Sequence, residues 1–113
     1  MNIYRMKLDR EPFEKIASGQ KIIESRLYDE KRQLIKVGDS IEFYQNDDEE
    51  KRVITKVKSL HKYKTFSELF SAFPVEYFGG ISKKFLIREI KRFYSNEDEK
   101  KYGVVGIKIE LKK

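Results

Sequence analysis

The sequence lacks cysteine and tryptophan altogether, and its 113 residues include one histidine and two prolines. Because there is no cysteine, disulfide frameworks, thiolate zinc sites and cysteine nucleophiles are excluded. The single histidine, His61, excludes a metal centre built from several imidazoles. No apolar run approaches the roughly 20 residues that span a bilayer, and residues 1–8 contain no apolar signal-peptide core. We therefore expect a cytoplasmic protein with no membrane association, metal or cofactor.

The composition is that of one folded domain over residues 1–113. Apolar residues, including eight Phe and seven Tyr among the aromatics, make up 39% of the chain, and charged residues make up another 39%. The formal net charge is +6, and the basic excess is concentrated, since residues 51–92 hold eleven Lys or Arg against three Glu. A local excess of positive charge permits a polyanionic partner such as RNA.

Hydrophobic periodicity predicts at least five strands, with helices inserted irregularly between them. Alternating apolar and polar residues indicate strands over residues 3–8, 21–27, 40–44, 51–63 and 103–111. Helices are predicted after Asp9, after Thr65, and from Ser82 to about Tyr94. Residues 46–50 and 95–101 are predicted to be polar loops. This order favours an α+β fold around a mainly antiparallel, curled sheet over a doubly wound parallel sheet.

The most specific stretch is Gly19-Gln20-Lys21-Ile22-Ile23-Glu24-Ser25-Arg26. On an ideal strand Glu24 and Arg26 project from the same face, and Lys21 can join them only from a turn or beside a bulge. A glutamate between two cations is held ionised, and the cations can meet an anionic or carbonyl ligand. The structural alternative is a solvent-exposed ion pair at a helix-to-strand junction.

Four of these residues carry a family resemblance. Gly19, Lys21, Glu24 and Arg26 match the G-x-K-x-x-E-x-R signature of ASCH domains, the homology region named after activating signal cointegrator. The resemblance covers nearly the whole chain and implies a PUA-like β-barrel of about five to six mainly antiparallel strands, with two to four helices packed around it. It also implies RNA or nucleotide binding in a cleft lined by Lys21, Glu24 and Arg26, with Asp39 beside the barrel mouth.

Two other functions remain as alternatives. Some small bacterial ASCH proteins are amidohydrolases that deacetylate N-acetylcytidine, with the motif lysine as base, a threonine as nucleophile and a later glutamate. The resemblance matches that lysine to Lys21, places Glu24 at the threonine position next to Ser25, and leaves Glu76 in the region of the later glutamate. A small hydrolase acting on a modified nucleoside or on RNA would use Lys21 and Glu24 as its acid–base pair. The third alternative is a protein-interaction adaptor, as the cointegrator relatives suggest.

Basic residues in the second half of the chain are the candidates for contacts with a nucleic-acid backbone. In the strand predicted over residues 51–63, lysines share one face, while Val53, Thr55, Val57, Ser59, His61 and Tyr63 share the other. The helix predicted after Ser82 has an apolar stripe that includes Phe93 and Tyr94, and its opposite face is basic. The candidates are Lys56, Lys58, Lys62, Lys84 and Arg88. The alternative is an edge strand kept soluble by lysine and a solvated helix face.

Overall fold

The computed structural model of the protein describes residues 2–112. The strands are β1 (Ile3–Leu8), β2 (Ile23–Leu27), β3 (Ser40–Gln45), β4 (Asp48–Tyr63) and β5 (Val104–Leu111). The α-helices are α1 (Arg10–Ala17), α2 (Phe66–Ala72), α3 (Lys83–Ile90) and α4 (Asn96–Tyr102), and short 3-10 helices cover Arg32–Leu34 and Val75–Phe78. Across residues 2–112, no helix is long and apolar enough to cross a membrane.

The five strands form one mixed, curled sheet in the order β1-β3-β4-β5-β2. β1 pairs with β3 in parallel, and the other three pairings are antiparallel. The two edge strands approach each other, because Arg26 Nη2 on β2 donates to the Lys7 carbonyl on β1 at 3.2 Å. The predicted α+β, barrel-like architecture with mainly antiparallel strands is therefore confirmed.

Two apolar clusters hold the sheet and helices together. One lies inside the curl and includes Ile16, Phe43 and Ile107, and the other lies between the sheet and α2–α3 and includes Ile23, Phe66 and Leu69. Strand β2 separates them, because Ile23 and Leu27 belong to the second cluster while Glu24 pairs in register with Ile107 of the first. Both faces of β2 are consequently covered, which buries the polar residues that the strand carries.

Two predicted helix caps are present in the structure, and two predicted loops differ from it. Thr65 and Ser82 cap α2 and α3 as predicted, each accepting a hydrogen bond from the backbone three residues on, at 3.1 Å. The segment predicted as a polar loop over residues 95–101 is instead α4, which begins with a capping box between Ser95 and Asp98. The predicted acidic loop 46–50 shrinks to a turn at residues 46–47, since β4 begins at Asp48.

A β-bulge overturns the prediction that Lys56, Lys58 and Lys62 share one face of β4. Val57 pairs with Ile109 and Ser59 with Lys108, so Lys58 is an extra residue whose backbone has no paired residue on β5. The alternation of side chains therefore reverses at Lys58, and the bulge adds the local bend that a curled sheet needs. As a result Lys56 and Lys62 project from opposite faces, and Ser59, His61 and Tyr63 do not share the face of Val57.

Candidate functional site

The motif residues meet in a buried ion triad at the start of β2. Gly19 has a φ of +83°, which turns the chain after α1 and leaves Lys21 just ahead of the strand. Lys21 Nζ lies 2.8 Å from Glu24 Oε1, and Arg26 Nε lies 2.7 Å from Glu24 Oε2. Each carboxylate oxygen thus takes one cation, and the turn brings Lys21 to a face it could not reach from a regular strand.

The triad is desolvated, and this defines its charge state. The Glu24 side chain is 4% exposed, against 13% for Lys21 and 14% for Arg26. Burial alone raises the pKa of Glu24, but the Lys21 ammonium and the Arg26 guanidinium outweigh burial and lower that pKa from 4.5 to about 2. For Arg26, burial lowers the pKa, but the Glu24 carboxylate and the Tyr94 hydroxyl together more than reverse this and the net pKa is raised. Glu24 is consequently an anion at any physiological pH.

Contacts from distant parts of the chain hold the two cations in place. A Cβ atom added at Gly79 would lie 3.2 Å from the Lys21 Cβ and 3.2 Å from the Lys15 Cδ, so this loop packs directly on both side chains. Lys15 Nζ fastens the loop by donating to the Gly79 carbonyl at 2.7 Å. On the other side, the Tyr94 hydroxyl lies beside the Arg26 guanidinium, and the Tyr94 ring stacks on Phe66 with centroids 5.7 Å apart.

The triad forms the floor of a cleft of about 450 Å³ between the sheet and α3. The cleft has an apolar wall that is rich in aromatic rings, made of Phe70, Phe78, Phe85, Leu86, Ile90, Phe93 and Tyr94. Its charged margin consists of Lys7, Asp9, Glu11, Lys15, Glu89 and Arg92, and Ser25 and Asn46 also line it. Ser25 reaches the cleft although it alternates with Glu24 and Arg26, because β2 is an edge strand of the sheet.

The arrangement suits a flat, polar heterocycle. An ionised carboxylate offers about four lone-pair positions, and the triad uses two of them, so Glu24 can still accept hydrogen bonds. Lys21 and Arg26 keep N–H groups for a carbonyl or phosphate oxygen, because an ammonium has three donors and a guanidinium five. The aromatic wall supplies apolar surface on which a ring can stack.

Asp39 does not lie with the triad. It is buried at the beginning of β3, while Asn46, which follows the other end of that strand, lines the cleft. The Asp39 carboxylate accepts hydrogen bonds from the backbone N–H groups of Lys36 at 2.9 Å and Asn2 at 3.2 Å, and these lower its pKa. Asp39 thus fixes the turn into β3 and is not among the residues that line the cleft, so its role in ligand binding stays a prediction.

The five predicted backbone cations do not form a single surface. Lys58 lines a second, open groove of about 600 Å³ that also includes Lys108 and Lys21, so this groove meets the cleft at Lys21. Lys62 lies over the Tyr28 ring, 4.7 Å from its centroid, on the face opposite Lys56. Lys84 and Arg88 are exposed on α3. Their role in binding a nucleic-acid backbone stays a prediction.

Most residues that line the cleft are not predicted from the sequence as ligand contacts, and Lys7, Arg92 and Phe93 are three of them. Lys7 lies in a strand whose alternation marks it only as solvent-facing, and Arg92 is one of several basic residues that follow Ser82. The sequence places Phe93 in an apolar helix stripe, but α3 ends at Ile90 and the ring is 59% exposed. The misplaced helix end is thus what concealed Phe93.

Comparison with known proteins agrees with this architecture. The family model of the ASCH domain matches residues 6–113. The crystal structure of hypothetical protein PH0355 is 40% identical, has a TM-score of 0.86, and the match covers 99% of this chain and 100% of that one. The solution structure of PF0455 from Pyrococcus furiosus is also 40% identical, with a TM-score of 0.77 and 96% of each chain covered.

More distant ASCH structures share the fold. ASCH from Zymomonas mobilis is 14% identical with a TM-score of 0.61, and the match covers 96% of this chain and 66% of that one. The ASCH domain from Lactobacillus crispatus is 16% identical with a TM-score of 0.64, covering 97% and 78%. None of the curated proteins matches the chain significantly. The family match over almost the whole sequence means that this chain belongs to the ASCH domain family.

Proposed function

We propose that the protein binds RNA or a nucleotide, with a base seated in the cleft above Lys21, Glu24 and Arg26. The observation that carries this proposal is the combination of a buried, permanently ionised carboxylate with an aromatic wall in one 450 Å³ cleft. Removing three charges from water is costly even when they pair with one another. A buried ion triad that lines a cleft is therefore a marker of function more than of stability.

The anion and the two cations of the triad have different roles toward a base. Glu24 accepts hydrogen bonds from an amino or imino edge, so it selects which base binds. Lys21 and Arg26 donate to carbonyl or phosphate oxygens. Lysines outside the cleft, such as Lys58, meet phosphates without reading the base, which positions the ligand but does not specify it.

The hydrolase alternative has one observation in its favour, since Ser25 lines the cleft beside Lys21. Two others weigh against it. Glu24, with its pKa near 2, holds no proton to donate near neutral pH. Lys21 Nζ lies 2.8 Å from Glu24 Oε1, so the carboxylate already engages the amine that the hydrolase would need as its base. Binding is therefore the better-supported function.

The experiment is a titration of the purified protein at two salt concentrations. The ligands are a mixed-sequence single-stranded RNA, a duplex DNA and N-acetylcytidine, and the nucleoside sample is also assayed for deacetylation. Glu24→Gln, Lys58→Ala and a control, Glu110→Gln, are compared after circular dichroism has established that each is folded. Glu110 is a suitable control because its side chain is 66% exposed and its ion pair with Lys58 is long, at 3.9 Å.

We expect Glu24→Gln to change the ranking of the ligands, because it replaces an anionic acceptor by an amide that both donates and accepts. Lys58→Ala should weaken every nucleic acid alike and reduce the slope of log K against log salt by about 1. Equal losses for both variants across all ligands would contradict this division of roles. Deacetylation that disappears in Lys21→Ala would establish the hydrolase instead.

A further inference from the structure

Phe93 occupies an unusual position for a large apolar side chain. Helix α3 ends at Ile90, and residues 91–93 form a turn in which the Phe93 N–H donates to the Ile90 carbonyl at 3.1 Å. The turn directs the Phe93 ring outward, where it is 59% exposed, while Tyr94 packs inward on Phe66.

Single exposed hydrophobic residues are common on protein surfaces, so exposure alone would mean little. Seven large hydrophobic residues are exposed among residues 2–112, and Phe93 is the one among them that lines the cleft. It therefore continues the aromatic wall from the interior of the cleft to its mouth. A ring at that position offers a stacking face to whatever extends out of the cleft.

The charges near the mouth indicate what that extension is. The Arg92 guanidinium lies 5.4 Å from the Phe93 ring centroid, and Glu89 at 3.0 Å and Asp9 at 4.0 Å hold it there. The cleft is lined by five cations, Lys7, Lys15, Lys21, Arg26 and Arg92. Within the described part of the chain, Lys7 is the one of these five that forms no ion pair. Its positive charge is free to meet an anion.

We propose that Phe93 stacks on a second base, next to the base held in the cleft, and that Lys7 contacts the phosphate between the two nucleotides. The inference rests on the proposed function and deepens it, because it makes the ligand a single strand of at least two nucleotides. A free nucleoside would leave Phe93 and Lys7 unused. Duplex bases are paired and stacked on one another, so a duplex offers no base to the cleft or to Phe93. Phenylalanine has no hydrogen-bonding group, so the second base is stacked without being selected.

The test compares a five-nucleotide single-stranded RNA with the four nucleoside monophosphates, using calorimetry on the full chain. Phe93→Ala should weaken the RNA about 5- to 150-fold, the range that the loss of one stacked base produces. It should weaken any monophosphate that binds by a smaller factor than it weakens the RNA, while Phe93→Tyr should restore RNA binding because it keeps the ring. Ile81→Ala is the matched control, since Ile81 is 86% exposed and lies outside the cleft.

Different failures identify different errors. If a monophosphate binds as tightly as the RNA, or if Phe93→Ala weakens both alike, the second stacking position is refuted while the base-binding cleft stands. If Ile81→Ala weakens the RNA as much as Phe93→Ala, the effect is general surface hydrophobicity and the inference is again refuted. If neither ligand binds the wild-type protein, the proposed function fails and this inference fails with it.

Discussion

Replacing Glu24 by Gln tests whether the triad is as strongly coupled as its geometry requires. The substitution preserves the size of the side chain but removes the negative charge between Lys21 and Arg26, which then face each other in a site where both are mostly buried. Removing one partner of a buried ion pair costs about 3–5 kcal/mol, because the remaining charge has lost its compensation.

The pKa of Glu24 gives an independent magnitude. Its fall from 4.5 to about 2 on folding corresponds to about 3 kcal/mol, at about 1.4 kcal/mol for each pKa unit. Because the pKa is lowered in the folded state, this stabilisation is fully present well above pH 4.5 and is lost as the pH falls toward 2. Roughly half of it remains at pH 3. The cost of breaking a buried ion pair and the lowered pKa of Glu24 both put the stability lost in Glu24→Gln at roughly 3 kcal/mol at neutral pH. This corresponds to a fall of roughly 10 °C in Tm.

Urea unfolding at pH 7, 4.5 and 3 measures this directly, with Glu110→Gln as the exposed control. Wild type should exceed Glu24→Gln by about 3 kcal/mol at pH 7, and the difference should fall to about half by pH 3. The control should lie within about 0.5 kcal/mol of wild type, as most surface substitutions do. A Glu24→Gln variant as stable as the control at pH 7 would refute the reasoning, and so would a difference that stays constant down to pH 3.

Two further predictions concern the scaffold around the cleft. Gly106→Ala should lower the free energy of unfolding by about 1–3 kcal/mol in a denaturant titration. The added Cβ would lie 2.7 Å from Leu69 Cδ1, and Leu69 is fully buried in the core. Unchanged stability would contradict this, because it would mean that the core adapts freely. Ser95→Ala should lower the free energy of unfolding by about 1 kcal/mol, because it removes the side-chain oxygen that accepts from the Asp98 N–H. Ser95→Thr keeps a hydroxyl and should lower it less. Equal losses from the two variants would contradict the capping role.

The sequence predicted the triad well because its geometry is local. Glu24 and Arg26 share a face through the two-residue period of a strand, and Lys21 is within reach because Gly19 permits a turn. The caps at Thr65 and Ser82 were predictable for the same reason, since a hydroxyl that accepts from a backbone N–H three residues on needs no tertiary contact.

The remaining features depend on long-range packing. Nothing near Lys58 in the sequence marks a bulge, because the extra residue depends on how β4 bends where it pairs with β5. The apolar period of α3 continues through Phe93, but the helix stops at Ile90 and a capped α4 follows. Asp39 sits in a turn motif whose position relative to the cleft depends on which end of β3 faces it.

The spacing of the motif follows from the need to hold one carboxylate between two cations across the open side of the curled sheet. Arg26 bonds to Glu24 with Nε and to the Lys7 carbonyl with Nη2, so one guanidinium both pairs the buried anion and joins β2 to β1. A lysine at position 26 would offer a single nitrogen in place of this planar fork and could not serve both partners with the same geometry. Lys7 also lines the cleft. A ligand that draws Arg26 away from Glu24 would also draw it away from the Lys7 carbonyl, which would loosen the contact between the edge strands. If the proposed function holds, binding at the triad would therefore be coupled to closure of the sheet through Arg26.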